Sequence, residues 1–245
     1  MINAINHKRM MTGLLAVLVL GLYSLSALAD EGVVRAKISY GLSKYNSPSA
    51  YADISSTYST LGLGVTYIFP TNMFVDFSMK TSGSGAVYNA QAVTSGLVAS
   101  DQAFKRAENT LTVGKPLENG MQGNVGLFTA DTQFDLAQFG QFSQKMTGLT
   151  AGIGKGVAVD EGRLGTIGII GAVALLTATN KDRFGTSSTA DLSYGISAGA
   201  SYNYMLSKNI GVSADAKLQS YFIKYATFSG DERIISTTVS LIGQF

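Results

Sequence analysis

The sequence predicts an all-β chain closed into a transmembrane, antiparallel, up-and-down barrel of about ten strands, ahead of counts of eight or twelve. Three observations predict it. Apolar and polar residues alternate with period two along most of the chain, and the breaks between alternating segments are short and long by turns. Only 14% of residues are charged while 46% are hydrophobic, against about 25% charged in an ordinary soluble protein. Period two belongs to a strand with unlike faces. A surface so poor in charge must meet something other than water.

At the amino end, Lys8 and Arg9 precede an apolar run at 14–23, and small residues follow at Ala27 and Ala29. A basic start, a short apolar run and an A-x-A site form the pattern of a secretory signal peptide, and the run is too short for a permanent spanning helix. Residues 1–29 are therefore expected to be cleaved, with 30–245 as a single barrel domain. Cleavage of 29 from 245 residues leaves 216. Lys8, Arg9 and the one histidine, His7, leave with the signal, so 18 basic residues become 16 and balance the 16 acidic ones. That balance gives no electrostatic ground for nucleic acid or an anionic surface as the main partner. Cysteine is absent, so the exported chain is no disulfide scaffold, and zinc sites of the Cys or His type are excluded. No metal and no other cofactor is expected.

The first alternating segment, 34–42, sets Val34, Ala36, Ile38, Tyr40 and Leu42 against Arg35, Lys37, Ser39 and Gly41. The second, 61–69, sets Leu61, Leu63, Val65, Tyr67 and Phe69 against Gly62, Gly64, Thr66 and Ile68. Further segments run at 73–80, 103–115, 121–130, 146–159, 164–177, 192–206, 210–221 and 233–245. A tilted membrane strand needs about 9–11 residues, close to most of these lengths. The seventh is nearly continuous in apolar residues, and alone it could be a helix. Gly165, Gly168 and Gly171 oppose a helix, and Ile167, Ile169, Val173 and Leu175 still face away from Thr166, Gly168, Ala172 and Ala174, so it reads as a strand.

Short breaks fall at 70–72, 116–120, 160–162 and 207–209, each of turn composition. Long ones fall at about 45–58, 81–103, 131–145, 179–191 and 222–232. Pro70 and Pro116 sit in short turns and Pro48 in a long loop, so no proline interrupts a strand. Alternating turns and loops, an even strand count and an apolar outer face describe a closed membrane barrel, the one sheet that leaves no unpaired edge in lipid. Tryptophan is absent, so the interfacial aromatics are expected to be Tyr67, Phe69, Tyr202, Tyr204 and Phe245 at the turn end, with Tyr40, Tyr58 and Tyr221 at the loop end.

The stretches SYGISAGASYNYMLSKNIGVSADAKLQSYFI (193–223) and STLGLGVTYIFPTNMFVDFSMKTS (59–82) resemble hairpins of small Gram-negative outer-membrane β-barrel proteins. The alternating last segment ending on Phe245 resembles the C-terminal signature read by the barrel assembly machinery. The resemblance is one of pattern and spans the whole chain after the signal. It implies an outer-membrane location, lipid and lipopolysaccharide as surroundings, the assembly machinery as a partner through Phe245, and a role carried by lumen and loops. Barrel proteases, phospholipases and lipid A-modifying families place a histidine at the active site, where imidazole serves as general base. None remains after the signal, so no catalytic residue is assigned and no enzyme is expected, although ten strands is also the omptin protease architecture.

By parity, seven charged side chains point into the lumen: Lys37, Asp76, Lys80, Arg106, Glu108, Asp215 and Lys217. They form either a bracing ion-pair network, with Lys80 and Glu108 meeting across a hairpin, or the lining of a narrow conduit whose selectivity they tune. GIGKG at 152–156 resembles a phosphate loop but lies within a strand, and Gly148, Gly152, Gly154 and Gly156 read as small inward positions. In the loop 131–145, Phe134, Phe139 and Phe142 are candidates for contact with a ligand or partner, or for packing over the barrel mouth. The expected role is structural or one of surface interaction, with a narrow channel for small or hydrophobic solutes as the alternative.

Overall fold

The computed structural model describes residues 32–47, 54–83, 85–89, 104–136, 140–181, 184–226 and 229–245. The expected signal peptide, Phe139 and most of the loop 81–103 lie outside the described residues. The strands are β1 (Val33–Ser47), β2 (Ile54–Ile68), β3 (Phe74–Ser82), β4 (Ala86–Asn89), β5 (Phe104–Pro116), β6 (Met121–Leu136), β7 (Gly140–Ala158), β8 (Thr166–Lys181), β9 (Ser187–Thr189), β10 (Ser193–Met205), β11 (Ile210–Lys224) and β12 (Ser229–Gln244).

Ten of them close a barrel, each antiparallel to its neighbours, in the order β1-β12-β11-β10-β8-β7-β6-β5-β3-β2 and back to β1. The other two are short additions at the loop end: β4 resumes the pairing of β3 against β2 after a break, and β9 pairs with β8. The seam between first and last strands runs from Arg35 opposite Gln244 to Asn46 opposite Arg233. Phe245 extends it: its backbone N–H donates to Val34 O at 2.9 Å and its carbonyl accepts from Val34 N at 3.0 Å. Phe245 thus adds one more backbone rung to the closure.

All four expected short turns are present, and the strained backbone gathers there. Asn72, Asn119 and Asp160 have φ of 61°, 59° and 51°, in the left-handed region that asparagine and aspartate tolerate better than most residues. The apolar faces point outward as the alternation predicts. Tyr40, Leu127, Leu149, Ile169, Val239 and Leu241 are all exposed at the outer wall. The nearly continuous apolar run is strand β8, with Ile167, Ile169, Val173 and Leu175 outward and Ala174, Leu176 and Ala178 buried.

Three expected loops are largely strand: of 45–58 only 48–53 separates β1 from β2. Of 131–145 only 137–139 separates β6 from β7, and of 222–232 only 225–228 separates β11 from β12. The reason is a reversal of polarity along the strands. Near the turns the outward faces are mostly apolar and the inward ones mostly polar; near the loops β5, β6, β7 and β12 turn polar outward around a filled interior, while Tyr194 and Phe222 stack on the outer wall of β10 and β11. On β6, Val125 and Leu127 face out lower down, whereas Asp131, Gln133 and Asp135 share that face higher up, with Ala130 and Thr132 buried behind them. On β12, Ile235, Val239 and Leu241 give way to Arg233 outside and Ile234 inside. Above the lipid, water is the outer solvent, and the wall packs as a soluble barrel does.

Candidate functional site

Above the reversal the lumen is filled. Phe104 is fully buried, its ring centroid 4.7 Å from that of Tyr58 and 5.1 Å from that of Tyr45. Met146, Leu176, Ile223 and Ile234 complete this cluster. At its lower edge Phe128 stacks on Tyr221, centroids 5.8 Å apart. Gly148 and Gly195 make room for those two rings: a β-carbon at either position would fall 2.5 Å from a ring carbon. Tyr58 and Tyr221, expected in an outer girdle, are thus inside. Their parity with inward neighbours required it, since Tyr221 lies two and four residues from the inward Gln219 and Lys217.

Within this plug lies a charge cluster built on Arg106. Its Nε donates to Glu108 Oε1 at 2.8 Å, its Nη1 donates to Thr132 Oγ1, and Nη1 lies 3.5 Å from Glu232 Oε2. The Arg106 and Glu232 side chains are each only 2% exposed. Because β5 and β12 are four strands apart around the wall, the pair crosses the lumen. The guanidinium carbon also stands 5.9 Å from the Tyr45 ring centroid, a cation–π distance. Glu232 was not among the expected lumen charges because the last strand was begun at Arg233; continuing period two from Ser236 through Ile234 reaches it.

The expected pair of Lys80 and Glu108 is corrected. The register does set the two opposite each other, yet the carboxylate closes on Arg106, two residues along its own strand and so on the same face. Arg106 presents several donors in a fixed fork, whereas Lys80 offers one mobile ammonium.

Below the plug the lumen opens into a cup. Two merging cavities of about 970 and 880 Å³ share Arg35, Asp76, Asp215 and Lys217 in their linings and reach down to Gly120 at a turn. Lys37 and Lys80 line the larger one and Glu108 the smaller. Lys37 Nζ donates to Asp215 Oδ2 at 2.8 Å, and the same oxygen accepts from Ser213 Oγ at 3.2 Å. Thr66 Oγ1 donates to Asp76 Oδ1 at 2.5 Å. Arg35 Nε donates to Gln244 Oε1 at 2.9 Å near the mouth. All seven charges placed inward by parity therefore face the lumen, five in the cup and two, Arg106 and Glu108, at the plug. Among the described residues no three acidic, histidine or cysteine side chains gather as metal ligands.

Phe134 and Phe142, expected in a loop, are cross-strand partners on β6 and β7, stacked with centroids 5.7 Å apart and packed against the plug. They continue the inward face of their strands, so the aromatic spacing reflects a hairpin and not a loop surface. Phe139 lies outside the described residues. Phe245 is 44% exposed on the outer rim of the seam.

No protein-family model matches the chain, nor does any curated protein. Solved structures do. The outer membrane protease OmpT from Escherichia coli superposes with a TM-score of 0.63 at 7% identity, over 89% of this chain and 98% of that one. The translocator domain of autotransporter NalP from Neisseria meningitidis gives 0.45 at 11% identity over 93% and 96%. The toluene transporter TodX of Pseudomonas putida gives 0.36 at 8% identity over 87% and 89%. Likeness at such identities is a likeness of fold. The closed ten-strand wall, apolar outward, together with the match to OmpT across nearly all of both chains, gives this chain the fold of the bacterial outer-membrane β-barrels.

Proposed function

We propose that the chain is a non-enzymatic, non-conducting outer-membrane barrel with a structural or surface-interaction role at its outward rim. The observation that carries this reading is the cross-lumen pair of Arg106 and Glu232, seated among Phe104, Tyr45, Ile223 and Ile234 and almost wholly removed from solvent. A conduit needs a continuous wet path. Side chains 3% exposed or less at the level of Phe104, Arg106 and Glu232 speak against one there.

Short turns face the periplasm in barrels of this kind. The plug then closes the outer end, and the cup opens inward. Above the apolar belt the outward residues include Lys44, Lys105, Lys145, Lys181 and Arg233 beside Asp131 and Asp135, with Lys145 paired to Asp131 at 3.8 Å; in this mixed collar the cations are the members that suit the anionic head groups of lipopolysaccharide. Phe245, ending the seam, fits a role as the signal through which the assembly machinery engages the last strand. The absence of histidine beyond His7 removes the usual general base, and Arg106, Glu108, Asp215 and Lys37 are already engaged with one another in pairs. Likeness to a protease of the same fold does not supply an active site.

The test is single-channel recording of the refolded protein in planar bilayers. The expected result is silence from the parent and conductance after Phe104→Ala with Arg106→Ala. Reproducible unitary steps from the parent overturn the reading in favour of a channel.

A further inference from the structure

Lys80 on β3 and Lys217 on β11 enter the lumen from strands four apart around the wall. Both line the larger cavity, and their charges act on one another across it. Neither ammonium has a carboxylate within 4.0 Å among the described residues, where the lumen ion pairs are Lys37 with Asp215 and Arg106 with Glu108 and Glu232. Glu108, opposite Lys80 in the register, is committed to Arg106 at 2.8 Å. Asp76 accepts from Thr66 at 2.5 Å.

Two like charges facing each other inside a low-dielectric wall repel far more than they would in water. A multivalent anion between them reverses the sign of that interaction and gains charge-assisted hydrogen bonds from both. We propose that the cup is a binding site for a small multivalent oxyanion, a phosphate ester or polycarboxylate, held between Lys80 and Lys217. Ser39, Ser236 and Thr238 line the same cavity and offer further donors. A volume of about 970 Å³ lies within the range of small-molecule sites. The strand ladders are continuous on every side, including 15 residue pairs between β1 and β2. The ligand therefore enters through the turn end from the aqueous phase, and a lipid head group has no lateral gap.

This inference rests on the proposed function only for the compartment that supplies the anion, so binding and conductance fail independently. The test is calorimetric titration of the refolded full chain in zwitterionic micelles with inorganic phosphate, and separately citrate, at ionic strength matched with chloride. Saturable binding is expected. Lys80→Met and Lys217→Met should each weaken it by about tenfold or more, while Lys115→Met, exposed on the outward face of β5, should leave it unchanged. Removing one of two repelling charges should not prevent folding, and the thermal midpoint of each folded variant should lose its dependence on phosphate. Lys80→Gln provides a second variant that keeps the stem polar. Absence of saturable binding by either anion at matched ionic strength, or unchanged binding in the Lys80→Met, Lys217→Met double variant, overturns the proposal.

Discussion

Replacing Arg106 by alanine would leave Glu108 and Glu232 in one confined space with no cation between them. Removing one partner of a buried pair costs about 3–5 kcal/mol, because the remaining charge is stranded without water. Arg106 and Glu232 meet that condition, each with a side chain 2% exposed. Glu108 is 22% exposed, so its share is discounted toward the ~1 kcal/mol of a solvated pair. Arg106→Ala should therefore lie near the top of the range, about 4–5 kcal/mol. Glu232→Ala should cost about 3, since Arg106 keeps Glu108 and Thr132. The double variant should cost little more than Arg106→Ala alone, a coupling of roughly 3 kcal/mol. The measurement is urea titration in neutral vesicles, with the folded fraction read from heat-modifiable gel mobility. An Arg106→Ala cost below about 1 kcal/mol, or additivity within about 0.5, would refute the reasoning.

The pair of Lys37 and Asp215 supplies a contrast, for its side chains are 38% and 28% exposed; the same cycle there should give a coupling of about 0–1 kcal/mol by the same titration. Leu127, between Leu111 and Leu149 on the outer wall, should not tolerate arginine: Leu127→Arg should cost about 2–4 kcal/mol if it lies at the bilayer midplane, whereas Thr112→Arg, facing the cup, should escape that penalty. Equal costs in vesicle unfolding would mean the faces are misassigned. Deleting Phe245 removes two backbone hydrogen bonds at the seam and should lower the amount of folded barrel in the outer-membrane fraction; a normal level would count against its role in assembly.

The turn-ward half of the fold was legible because lipid outside and water inside enforce opposite faces on alternate residues. Ile38 and Tyr40 against Lys37 and Ser39 announce it with no knowledge of the tertiary structure. The loop-ward half was not, because the same alternation continues with its sign reversed. Asp131, Gln133 and Asp135 on β6 look like loop residues to a rule that expects apolar side chains outward. That one rule truncated β6, β7, β11 and β12 together, hid Glu232, and placed Phe134 and Phe142 in a loop. The lumen charges were found because parity carries through a strand wherever its start is fixed. Their partners were not, because the reach of Arg106 across four strands depends on barrel closure, which local spacing does not encode.

The reversal of polarity along the strands also sets how deep the molecule floats. A strand rises about 3.4 Å per residue and tilts about 40° in such a wall, so two residues climb roughly 5 Å along the membrane normal. Lys44 stands two residues above Leu42 on β1, Arg233 two residues above Ile235 on β12, and Thr177 two above Leu175 on β8. Sinking the barrel by that one step would draw several charged and polar groups toward hydrocarbon at once; lifting it would strand Leu42, Leu175 and Ile235 in water. Each displacement is opposed from many strands together, which fixes the waterline more firmly than any single residue could. Where the surrounding bilayer is too thick or too thin, the lipid must then adjust to the barrel, and the local membrane takes its thickness from the protein.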